Sequence, residues 1–105
     1  MSAISVLILT QQDCASCEAA SAIVKRLARK YPLSVSTVSL DSPEGVSLAE
    51  KGGVLFPPGI FIDGKLFSYG GLSERTLRME IERLLSNQEE TLIGDTNGPG
   101  MAKRI

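Results

Sequence analysis

Apolar positions in this chain change period several times, and each change marks a structural element. Ile4 to Leu9 is apolar on both sides of the alternation except at Ser5, which predicts a central strand covered on both faces. From Ala15 to Tyr31 the apolar residues Ala20, Ile23, Val24, Leu27, Ala28 and Tyr31 recur at helical spacing, the stripe of an amphipathic helix. Lys25, Arg26, Arg29 and Lys30 fall on its wet side and complement the C-terminal end of the helix dipole; a binding patch is the alternative reading. Pro32 ends the helix. Leu33 to Leu40, rich in Val, Ser and Thr, reads as a second strand. Its apolar positions change parity between Val35 and Val38, which calls for a late start or a bulge.

Asp41-Ser42-Pro43-Glu44 opens a second helix, with Ser42 as N-cap and Pro43 in the first helical position. Gly52-Gly53 stops it. Ile60-Phe61-Ile62 and Leu66-Phe67-Ser68-Tyr69 flank Asp63-Gly64, a strong hairpin signal. After Gly70-Gly71, Ser73 caps a last helix whose inner face holds Leu77, Ile81, Leu84 and Leu85. Periodicity ends at Ser86. The expected organisation is one domain over residues 1–86 and a flexible C-terminal tail over 87–105, in which Leu92 and Ile93 could still dock.

Composition narrows the function classes. At 105 residues, 43% hydrophobic and 22% charged, the chain is an ordinary single domain. A net charge of −1 provides no long-range field for nucleic acid or an anionic membrane. No run is long enough for a transmembrane span, and residues 4–9 are too short for a signal-peptide apolar core with its basic flank, with no small-residue cleavage site after them. The expected location is the cytoplasm, where a thiol pair is kept reduced and reads as catalytic or redox-sensing.

The candidate chemistry is Cys14-Ala15-Ser16-Cys17, the chain's two cysteines, set between the first strand and the first helix. A helix N-terminus offers unpaired N–H groups and a positive dipole end, both of which favour a thiolate. A cysteine three residues on lies about one turn later on the same face and can attack a mixed disulfide formed at the first. A structural zinc site needs about four ligands; with two cysteines and no histidine, a Cys/His site requires CxxC pairs from two chains. A purely structural disulfide in so short a loop restrains the unfolded chain little, and two inert buried cysteines remain a further alternative.

The order βαβ then αββα, with CxxC after the first strand, resembles the thioredoxin-fold superfamily and within it a bacterial glutaredoxin-like group. The likeness spans about residues 3–85. It rests on Cys14-Ala15-Ser16-Cys17, on Pro57-Pro58-Gly59-Ile60-Phe61-Ile62-Asp63-Gly64-Lys65 and on Gly70-Gly71-Leu72-Ser73-Glu74. The resemblance implies an α/β thioredoxin-like fold, a four-stranded mixed sheet flanked by three helices. It implies that Pro58 is a cis-proline facing the cysteines, with Pro57 and Pro58 in the substrate-binding loop. It further implies that Ser73 and Glu74 sit where glutaredoxins hold the γ-glutamyl carboxylate of glutathione on a helix N-terminus. A tight turn followed by a capped helix accounts for the same residues without any ligand.

The chain also departs from that pattern. The residue before the cis-proline normally offers its N–H to the substrate backbone, and Pro57 has none. Asp13 stands where glutaredoxins carry a basic residue, and its charge opposes a thiolate at Cys14; no Trp precedes the motif as in thioredoxins. The expected activity is that of a small cytosolic thiol–disulfide oxidoreductase. Cys14 attacks, Cys17 resolves, and Ser16 with the helix N–H groups supports the negative charge. No metal and no bound cofactor are expected, with glutathione as a candidate co-substrate. Expected partners are a disulfide-bearing protein or glutathione, with thioredoxin reductase as a candidate donor, no nucleic acid and no membrane; the protein is expected to be a monomer. The alternatives are a redox sensor or adaptor without turnover, and metal or iron–sulfur binding across a dimer.

Overall fold

The apolar run Ile4 to Leu9 becomes the second strand across the sheet. The computed structural model describes residues 3–94, with side chains as far as Asn87. β1 (Ile4–Thr10) pairs in parallel with β2 (Leu33–Ser39) on one side and antiparallel with β3 (Gly59–Ile62) on the other. β3 continues antiparallel into β4 (Lys65–Tyr69), giving the order β2-β1-β3-β4. The helices are α1 (Ala15–Ala28), α2 (Pro43–Gly52) and α3 (Glu74–Gly94).

The alternation of β1 decides which helix covers which face. Ile4, Val6 and Ile8 pack with Ala20, Val24 and Leu27 of α1, Ile60 and Ile62 of β3, and Leu77 and Ile81 of α3. Each of the Ile, Val and Leu side chains among them, removed from water, contributes about 1.5–3 kcal/mol. Leu9 and Phe61 turn to the opposite face, where Gly52 and Val54 at the end of α2 close over them. Two polar links tie α1 and the segment just after it to α3. Arg26 donates to Glu74 at 2.7 Å, and the Tyr31 hydroxyl donates to Glu82.

The turn chemistry acts as its residues require. Ser42 accepts from the Gly45 N–H at 3.0 Å, and Gly53 ends α2 in the left-handed region at φ 76°. Asp63 and Gly64, at φ 49° and 85°, make the hairpin turn. The Asp63 carboxylate also accepts from the Ser5 N–H at 3.0 Å, tying the hairpin to β1.

Two expectations need correction. β2 carries no bulge, since its seven residues pair with β1 in one unbroken register. The parity change has another cause: Leu33 shares the α1–α3 face with Ile4, while Val38 shares the α2 face with Leu9. The irregularity lies instead between Ile60 and Phe61, where β3 meets β4. Second, α3 runs to Gly94 rather than stopping near residue 86. Gln, Glu and Leu dominate residues 88–92 and propagate a helix well, even though the apolar stripe has ended. Residues 95–105 of the expected tail lie outside the described residues. Among the described residues, no helix is long and apolar enough to cross a membrane.

Candidate active site

The site is built on the junction of β1 and α1. Asp13 adopts φ 52°, a left-handed conformation that Asp tolerates better than most side chains, and the chain then re-enters extended backbone at Cys14. Cys14 is the N-cap of α1: its Sγ accepts from the Cys17 N–H at 3.1 Å and its carbonyl from the Glu18 N–H at 3.1 Å. Sulfur thus fills the place usually taken by a Ser or Asp oxygen. That N–H, with the positive end of the helix dipole, stabilises a thiolate at Cys14 relative to the thiol.

The two cysteines are joined as a disulfide, with Cα atoms 5.2 Å apart. They are not equivalent. Cys14 is half-buried, whereas Cys17 is 3% exposed on the inner side of α1. Asp13, Ala15 and Ser16 are exposed around them. Among the described residues, no group of three or more His, Cys, Asp or Glu side chains gathers as a metal site.

The Pro57–Pro58 peptide bond is cis. Pro58 is fully buried and Pro57 half-buried. Leu9 pairs with Gly59, so Pro58 enters the sheet level with the last residues of β1. The loop bearing the cysteines leaves from that same end. The Pro58 carbonyl accepts from the Gly70 N–H at 2.8 Å, which fastens the proline loop to the end of β4.

Ser73 and Glu74 are engaged within the protein. The Ser73 hydroxyl accepts from the Thr76 N–H at 3.2 Å, and its carbonyl from the Leu77 N–H at 3.0 Å, capping α3. The Glu74 carboxylate is held by Arg26, whose hydrogen bond keeps it below the usual carboxylate range and raises the guanidinium in turn. Both side chains thus have partners within the protein.

An apolar rim beside Pro57 has no counterpart in the sequence motifs. Leu55 is 77% exposed, Phe56 53% and Tyr69 37%. Phe56 meets Tyr69 edge to face with centroids 5.5 Å apart. The dipeptide Phe56-Pro57 was visible in the sequence, but Tyr69 joins it only because β4 pairs with β3 at Gly59.

The sequence profile of the thioredoxin domain matches residues 3–85. Solved structures agree on the fold. A thioredoxin variant from Halobacterium salinarum is 23% identical with a TM-score of 0.63, over 78% of this chain and 74% of that one. Thioredoxin-2, a component of malaria parasite protein secretion machinery, is 24% identical with a TM-score of 0.60, over 77% and 82%. Oxidised mitochondrial thioredoxin 3 from Saccharomyces cerevisiae is 18% identical with a TM-score of 0.61, over 79% and 80%. No match is found among curated proteins. With its CxxC pair closed at the start of α1 on this fold, the chain belongs to the thioredoxin domain family and carries that family's kind of thiol–disulfide redox centre.

Proposed function

We propose that the protein is a small cytoplasmic thiol–disulfide oxidoreductase that reduces disulfides on extended protein segments, and that it stands nearer to thioredoxin than to glutaredoxin. The observation that carries this reading is the asymmetry of the pair: Cys14 is half-buried and takes an N–H at its sulfur, while Cys17 is buried one turn inside α1.

In the reduced protein, the Cys14 thiolate attacks one sulfur of the substrate disulfide and expels the other as a thiolate, leaving a mixed disulfide. Cys17 gives up its proton, attacks Cys14 Sγ and releases the second substrate sulfur. Two electrons pass to the substrate, and the protein is left with the Cys14–Cys17 disulfide seen here. An external dithiol or glutathione then restores the thiols.

Two features favour a protein substrate over glutathione. Glu74 is held by Arg26, and the rim of Leu55, Phe56 and Tyr69 suits apolar side chains of a peptide. No metal or bound cofactor takes part in this scheme.

The test is trapping. With a reporter protein carrying a surface disulfide, Cys17→Ser should accumulate a mixed disulfide that dithiothreitol reverses, and Cys14→Ser should lose turnover. Faster alkylation of Cys17 than of Cys14 in the reduced protein would reverse the assigned roles. Reversible oxidation without turnover would make the protein a redox sensor.

A further inference from the structure

The sheet has two edges, and they are protected very differently. β4 is five residues long, begins with Lys65, and lies next to the irregularity at Ile60/Phe61. Such devices discourage another chain from pairing. β2 has none of them: its seven residues, LSVSTVS, contain no charge, no proline and no bulge.

Hydrogen bonds at the two ends of β2 fix which groups point outward. The Ile4 N–H donates to the Pro32 carbonyl at 2.9 Å, and the Leu40 N–H to the Thr10 carbonyl at 2.8 Å. Even-numbered residues of β2 therefore face β1. Leu33, Val35, Thr37 and Ser39 direct their backbone groups away from the sheet, where no described residue pairs with them, except that the Ser39 carbonyl accepts from Ser42.

We propose that β2 is a homodimerisation edge, pairing antiparallel with β2 of a second copy of this chain about a two-fold axis at Ser36. The sequence fits this register to itself. With Ser36 opposite Ser36, Val35 meets Thr37 twice, and both residues present outward N–H and C=O groups. Each such pair forms two hydrogen bonds. The Ser39 N–H reaches the Leu33 carbonyl at either end. Val35, 39% exposed, gains a β-branched neighbour across the seam.

Charge favours the same occupant. Arg29 and Lys30 precede β2, while Asp41 and Glu44 follow it. An antiparallel copy sets the basic start of one strand beside the acidic end of the other. The chain's own residues 95–105 are a poorer match, since Asn97-Gly98-Pro99-Gly100 interrupts them with turn formers. The result is a closed, isologous dimer with one continuous sheet, in place of the monomer that the sequence suggests.

Sedimentation velocity of the full chain over a wide concentration range tests this. The average mass should rise from that of one 11.2 kDa chain toward twice that value, and the dimer should weaken with added salt. Ser36→Lys sets like charges opposite each other and should raise the dissociation constant about tenfold or more. Val35→Pro removes an outward N–H without breaking a bond to β1 and should act in the same direction. Circular dichroism checks that both variants fold. Should either unfold, amide exchange at Val35 and Thr37 in the unaltered chain must slow as concentration rises. A chain that stays monomeric, a dimer indifferent to both folded variants, or amide protection that vanishes when residues 95–105 are removed would each overturn the proposal.

Discussion

At position 45 the decisive feature is an atom that is absent. A Cβ on Gly45 would lie 1.9 Å from the Ser39 carbonyl oxygen, so α2 rests on the backbone of β2. Replacing a helical glycine with alanine ordinarily gains up to about 1 kcal/mol. Here Gly45→Ala should instead lose about 1–3 kcal/mol through overpacking, seen as a lower denaturation midpoint. A more stable variant would mean that α2 does not seat there. Pro57 makes the opposite kind of statement, since it withholds a backbone donor. A missing hydrogen bond of this type costs about 0.5–1.5 kcal/mol. Pro57→Val should therefore raise glutathione-dependent turnover by about three- to tenfold. No gain in a variant that melts normally would show that the missing N–H does not limit glutathione use.

Among the elements, α1 and α3 are joined by a pair whose strength depends on pH. Arg26 holds the folded-state Glu74 carboxylate below its ordinary value. The resulting stability is fully present above the unfolded carboxylate range and is lost as pH falls through the lowered folded value. Melting temperatures of the parent and of Glu74→Gln should differ by a small, constant amount near neutrality, and converge in acid. A gap that widened on acidification would contradict this. Truncation after Asn87 should cost less than about 0.5 kcal/mol, because Leu84 and Leu85 are the last side chains of α3 packed on the core among the described residues. A melting temperature lower by several degrees would place later residues in the packing. These elements differ in how far the sequence revealed them. The Ser42-Pro43 cap, the Asp63-Gly64 turn and the Cys14-Cys17 junction were legible because each depends on a few adjacent residues. The parity change in β2 was misleading because two different helices cover the two ends of that strand. The site's motif was visible, but the rim of Phe56 and Tyr69 and the Arg26–Glu74 pair arise from contacts between distant segments.

Over the whole molecule, the sheet grades from a doubly bonded interior to a bare edge. β1 is paired on both sides and contributes Ile4, Val6, Ile8 and Leu9 to the buried set. Its amides should exchange most slowly, and the outward amides of β2 much faster at low concentration. Uniform protection across both strands would remove the distinction between them. The edge-to-face contact of Tyr69 with Phe56 has a further consequence, an optical one. The protein contains no tryptophan and two tyrosines, one at this rim and one, Tyr31, between α1 and α3. Its near-ultraviolet spectrum is therefore nearly empty, and a signal from the rim can be separated from one arising in the helical layer by replacing Tyr31 with Phe. A single indole introduced as Phe56→Trp would then act as a lamp at the mouth of the site, reporting the arrival of a substrate segment in real time against a dark protein.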